Sequence, residues 1–145
     1  MRFSSHGLSY TTFEYSDLTL SSVEIRGSQN PDITLTASVR VTNMGPVTGS
    51  EIVQLYISYP STSELTHPPL MLKAFKKVMD LPPGKSEIAE VVLDKYAVSY
   101  WDERAMRWAV EPGTYVVRVG RSSAPEDLKM VAEFTIERRL EWAGL

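Results

Sequence analysis

The chain has 145 residues, 43% hydrophobic and 23% charged, with no cysteine, the profile of one globular domain able to bury roughly 70% of its unfolded surface without cross-links. Fifteen Lys and Arg against eighteen Asp and Glu leave a net charge of -3, so there is no basic field to grip phosphate backbones and nucleic acid is not an expected partner. The missing cysteine excludes thiol catalysis, thiolate zinc sites and disulfides together. His6 and His67 stand alone without metal-ligand spacing, so no metal or other cofactor is expected. MRFSSHGLSYTTF lacks the apolar run of a secretory signal, no stretch approaches the roughly 20 apolar residues of a membrane span, and neither asparagine begins a glycosylation sequon.

Period-two patterning dominates the chain. FEYSDLTLSSVEI reads as an opening strand interrupted by serines. In DITLTASVRVTN, Ile33, Leu35, Ala37, Val39 and Val41 alternate with polar residues, which predicts a strand with one buried and one wet face. EIVQLYISYP repeats the pattern with Val53, Leu55, Ile57 and Tyr59, while Ile52 and Tyr56 make its other side partly apolar, as in a central strand. Leu72 to Leu81 has the Lys and Ala content of a helix, but prolines bracket it at Pro68, Pro69, Pro82 and Pro83, and a strand is preferred. SEIAEVVLD, GTYVVRVG and KMVAEFTIE supply three further strands, and turn residues separate each apolar run from the next. The expected fold is an all-β antiparallel sandwich over residues 13–137, with an N-terminal linker over 1–12 and a C-terminal tail over 138–145.

Several segments carry a more specific message. HGLSYTTFEY, VTNMGPVTGSEIVQLYIS, LKAFKKV, LPPGKSE and YWDERAMRWAVEPGTYVVRVGRSS occur in an order and spacing that resembles the fibronectin type III-like C-terminal domain of fungal glycoside hydrolase family 3 β-glucosidases. In that family the domain follows a barrel carrying an aspartate nucleophile and an α/β domain that supplies the acid/base. The resemblance therefore implies an immunoglobulin-like, fibronectin type III-like sandwich acting as a non-catalytic accessory domain, with the family 3 catalytic domains as partners in cis or trans and an extracellular setting. No catalytic residue of the family can be placed on this chain. The family's Phe-Gly pair ahead of H-G-L-S-Y-T is replaced by Ser4-Ser5.

Residue types give two kinds of candidate site. Asp102/Glu103 and Glu126/Asp127 are acidic pairs in segments read as loops, without the convergence that glycoside hydrolysis requires. No nucleophile elbow accompanies the serines. Aromatic side chains are the stronger lead, because sugar rings stack on flat exposed rings. Tyr59, Tyr100, Trp101 and Trp142 are the candidates for contact with a polysaccharide or protein partner, alongside Tyr56 and Trp108. A sandwich core also uses tryptophan as filler, and burial is the expectation for Trp101 and Trp108. Lys73, Lys76 and Lys77 read as a charged strand edge. Leu8, Tyr10 and Phe13 are candidates for docking against a neighbouring domain, and Leu140, Trp142 and Leu145 either dock in a groove or fray.

Overall fold

The computed structural model describes residues 11–27, 31–60, 70–128 and 130–143. Strands fill it, in the order β1 (Phe13–Leu20), β2 (Glu24–Arg26), β3 (Asp32–Asn43), β4 (Gly49–Ser58), β5 (Met71–Leu81) and β6 (Ser86–Leu93). A short helix α1 (Lys95–Val98) follows, then β7 (Tyr100–Asp102), β8 (Arg107–Val110), β9 (Gly113–Gly120), β10 (Met130–Ile136) and β11 (Leu140–Trp142). All pairings are antiparallel. One sheet is built on β3, with β1 and β2 along one side and β6 along the other, and the second runs β10-β9-β4-β5. A three-stranded ribbon, β11-β8-β7, completes the molecule. This is the antiparallel sandwich that the alternation predicts, with the immunoglobulin-like form that the family resemblance implies.

The inner faces hold the core. Ile33, Leu35, Ala37, Val39 and Val41 of β3 meet Val53, Leu55 and Ile57 of β4 and Tyr115, Val117 and Val119 of β9 in one buried cluster. Their polar neighbours on β3 point outward, so the two-residue period becomes a two-sided sheet. Leu72 to Leu81 forms strand β5 despite its helical composition, because its backbone pairs with β4 over most of its length. A register shift between Leu55 and Tyr56 breaks the simple alternation, placing Leu72 and Phe75 together on the outside, 53% and 60% exposed.

Three features depart from the sequence reading. Asp94 accepts a 3.0 Å hydrogen bond from the Tyr96 amide and caps α1, which the strand pattern concealed. The segment holding Asp102 and Glu103, read as loop, forms the β7–β8 hairpin. Beyond Ile136, where a tail was expected over 138–145, Leu140–Trp142 adds strand β11 to β8, so the folded unit continues past residue 137.

The V-T-N-M-G and E-P-G-T-Y segments serve the fold. Asn43 is fully buried, and its side-chain amide donates 2.8 Å bonds to the Val47 and Leu81 carbonyls. Its Oδ1 accepts from Thr11 Oγ1 at 2.5 Å and the Gly45 amide at 2.9 Å. Gly45 is required because a Cβ there would run into Thr11. Tyr115, in the E-P-G-x-Y segment, donates a 2.7 Å bond back to the Glu111 carbonyl and stacks on Phe134 with centroids 5.0 Å apart, a tyrosine corner of the kind found in immunoglobulin-like sandwiches.

Candidate functional site

The three-stranded ribbon gathers aromatic side chains by register. Trp101 lies opposite Trp108 across β7 and β8, and Trp108 lies opposite Trp142 across β8 and β11. Trp101 meets Trp108 edge-on at 5.5 Å, and Trp108 stacks on Trp142 at 6.5 Å. Tyr96 of α1 packs edge-on against both Trp108 and Trp142. The Lys95 ammonium sits 4.7 Å from the centre of the Trp142 ring, a cation–π contact that helps a nearly buried lysine keep its charge company.

Beside this ladder lies a cleft of about 440 Å³ lined by Tyr100, Trp101, Asp102, Glu103, Arg104 and Arg139, with Glu111 at its wall. Arg139 organises it. Its guanidinium contacts Glu111 Oε1 and bonds Asp102 Oδ2 at 3.1 Å and Glu141 Oε2 at 2.6 Å. The Tyr100 hydroxyl donates to Glu111 at 3.0 Å and accepts from Arg139 at 3.3 Å. Hydrogen bonding to Glu141 is the main cause that raises the Arg139 pKa further above its ordinary value. Asp102 Oδ1 also accepts from the amides of Arg104 and Ala105, closing the hairpin turn. Asp102 and Glu111 are therefore committed to one guanidinium and to turn formation, which leaves them poor candidates for proton transfer to a substrate.

Of the four aromatic candidates, Tyr100 and Trp101 share this cleft, and the other two lie elsewhere. Trp101 is 40% exposed, contrary to the expected burial, because the hairpin holds it at the outer end of the tryptophan ladder. Trp142 is 0% exposed and is corrected from a contact candidate to a core residue, since β11 carries it inward. Tyr59 is half-buried: its hydroxyl donates to the Ser99 carbonyl at 3.0 Å, its ring packs 5.5 Å from that of Tyr115, and burial pushes its pKa up to about 12. It serves packing. Among the described residues no group of three or more His, Asp or Glu side chains could hold a metal ion.

A second cleft, of about 500 Å³, opens at the start of β1 between Thr11, Phe13, Ile52, Lys77, Met79 and Arg121, with Glu51 at its base. Glu51 is nearly buried and accepts a 3.0 Å bond from the Tyr15 hydroxyl. Burial raises its pKa above the ordinary carboxylate value, against the opposing pull of Arg121 and the Tyr15 bond. Phe13, one of the three docking candidates, is half-buried and packs against the core while lining this cleft. Leu8 and Tyr10 lie outside the described residues, as does Leu145. Arg121 and Met79 are contributors that patterning missed, since Met79 lies on β5 and Arg121 follows β9, strands that flank β4 only through long-range pairing.

The two-sheet architecture, the tyrosine corner and the cleft-bearing hairpin define a fibronectin-like sandwich domain. A model of the fibronectin type III-like domain matches residues 51–123, and the chain belongs to that family. It is 44% identical over 142 residues to the probable β-glucosidase I of Aspergillus terreus, covering 97% of this chain and 16% of that protein. The β-glucosidase 3B of Thermotoga neapolitana superimposes with a TM-score of 0.80 at 34% identity, over 96% of this chain and 18% of that one. The β-glucosidase of Kluyveromyces marxianus gives a TM-score of 0.78 at 40% identity, over 97% and 16%. The chain thus spans about one sixth of the length of the curated relatives it matches, and the match falls in their C-terminal region.

Proposed function

We propose that this domain acts as the non-catalytic accessory domain of a glycoside hydrolase family 3 β-glucosidase, holding the catalytic domains in their working arrangement. The observation that carries the reading is the coverage: 97% of the chain is accounted for by 16% of a β-glucosidase. Support comes also from the use of its conspicuous residues. Asn43, Gly45 and Tyr115 make the sandwich, and Asp102 and Glu111 hold Arg139. Burying apolar surface between domains restrains their relative motion, which preserves a site formed between them. The purified domain incubated at high concentration with an aryl β-glucoside is expected to release no aglycone above the buffer rate. Enzymatic release that tracks the protein through purification would overturn the reading.

A second reading is favoured by Trp101, whose exposed ring stands at the mouth of the Tyr100 cleft. It makes the hairpin a sugar-contact surface, with the glucan face stacking on the indole. Retention on insoluble cellulose or chitin that disappears in Trp101→Ala supports it, and passage of the native domain through both polymers rejects it.

A further inference from the structure

The sandwich has two outer faces, and they differ in chemistry. On the β3 sheet the outward residues of β3 are Thr34, Thr36, Ser38, Arg40 and Thr42. Register sets Ile88 and Val92 of β6 beside Arg40 and Thr36 as the two exposed apolar side chains of β6 on that face. Three of the β3 side chains are engaged in polar pairs: Ser38 with Glu90 at 3.4 Å, Arg40 with Asp17 at 3.1 Å and Thr42 with Ser86 at 2.7 Å. The outer face of the β10-β9-β4-β5 sheet is richer in exposed apolar side chains. Register places Ile52 beside Lys77, Gln54 beside Phe75, and Leu72, Tyr56, Arg118 and Val131 in one row across all four strands. Ile52, Leu72, Phe75, Met79 and Val131 stand 48% to 60% exposed. Exposed apolar side chains scattered singly are ordinary, but five on one sheet face form a surface that water wets poorly.

Charge and chain path identify what covers it. Lys77, Arg118 and Arg121 border the apolar residues, with Glu133 set beside them by register on β10 and the nearly buried Glu51 in the cleft beside Lys77 and Arg121. This gives the face a basic rim on a molecule whose net charge is -3. Thr11 and Phe13, at the start of the described sandwich, line the cleft at one end of the same face together with Ile52 and Met79. Thr11 is the first described residue, so the chain enters the sandwich at this end of this face, and the relatives it matches through their C-terminal region are about six times as long.

We propose that the outer face of the β10-β9-β4-β5 sheet is the docking surface of the domain, and that its occupant is an apolar, carboxylate-rimmed patch on the catalytic part of its polypeptide. The inference rests on the accessory-domain reading and specifies the surface that reading uses. Opposite charges at the rim fix orientation, while the apolar centre supplies most of the association energy.

The test replaces the matching C-terminal region of the Aspergillus terreus enzyme with this domain and follows loss of β-glucosidase activity on heating. Ile52→Ser, Phe75→Ser and Met79→Ser are introduced together, with Ile88→Ser and Val92→Ser on the opposite sheet as the control. The outer-face triple variant is expected to shorten the activity half-life by about tenfold, and the control by less than about twofold. Cooperative unfolding of each isolated variant domain confirms that the fold survives, and Phe75→Ser alone replaces the triple variant if it does not. Equal half-lives for all chimaeras, when deletion of the domain inactivates the enzyme, would overturn the docking face and leave the accessory reading standing. Full stability after deletion would overturn the accessory reading itself. A dimer of the isolated domain in sedimentation, abolished by the triple variant, would overturn the proposed occupant in favour of a second copy.

Discussion

Asn43 Nδ2 donates a 2.8 Å hydrogen bond to the Leu81 carbonyl, 38 residues away, at a point where neither atom reaches water. The bond ties the end of β3 to the end of β5, one strand from each sheet. With the bonds to Val47, Gly45 and Thr11 it satisfies the whole Asn43 side chain. Asn43→Ala removes a partner from two carbonyls, an amide and a hydroxyl, and the expected loss is about 2–4 kcal/mol of stability. A urea midpoint shifted by that amount at unchanged slope is the check.

Glu51 gives the domain a pH signature. Burial raises its carboxyl pKa in the folded state above the ordinary value of 4.5, so the folded protein binds that proton more tightly than the unfolded chain. The stability this contributes is full below the unfolded value and is lost as pH rises through the folded one. Glu51→Gln retains an acceptor for the Tyr15 hydroxyl and cannot ionise. Thermal midpoints across the window just above the ordinary carboxylate range are expected to fall with rising pH more steeply for the native protein than for the variant. Parallel profiles would contradict the assignment.

The tryptophan ladder predicts a graded response from one end to the other. Trp142→Ala empties a fully buried site and is expected to cost about 3–5 kcal/mol. Trp101→Ala removes an exposed ring that touches Trp108 edge-on and is expected to cost about 0.5–1.5 kcal/mol. Acrylamide quenching of tryptophan fluorescence checks the same gradient without unfolding: Trp101→Phe is expected to remove most of the quenchable signal and Trp142→Phe little of it.

The contrast between these tryptophans shows where sequence reasoning stops. Strands β3, β4 and β9 were legible because each buries one face, and a two-residue period records that directly. The ribbon strands are three and four residues long, too short for a period to emerge, and their pairing links Trp101, Trp108 and Trp142 through long-range contacts that no local pattern encodes. Trp142 therefore looked like a residue of a tail. Arg139 was invisible for the same reason, since its partners Asp102 and Glu111 lie 37 and 28 residues away. Leu72 and Phe75 share an outer face only because a bulge breaks the alternation on β5. The Asp94 cap of α1 was a readable signal, hidden by the strand-like run before it.

Met106 sits at the tip of the β7–β8 hairpin with φ of 53°, a left-handed conformation that crowds a side-chain Cβ, and it is 66% exposed. Removing the Cβ relieves that strain and partly offsets it by loosening the unfolded chain. Met106→Gly is expected to stabilise the domain by about 0.5–1 kcal/mol. A higher midpoint in chemical denaturation is the readout, and Met106→Val, with a branched Cβ in the same conformation, is expected to move it the other way.

The central claim is that this domain supports chemistry carried elsewhere in its polypeptide. It is tested most directly by the heat-inactivation half-life of Aspergillus terreus β-glucosidase I in three forms: intact, lacking the 142-residue matching region, and carrying this domain in its place. The account predicts that deletion shortens the half-life by at least about tenfold and that this domain restores most of it with the substrate KM unchanged. A truncated enzyme as durable as the intact one would contradict it.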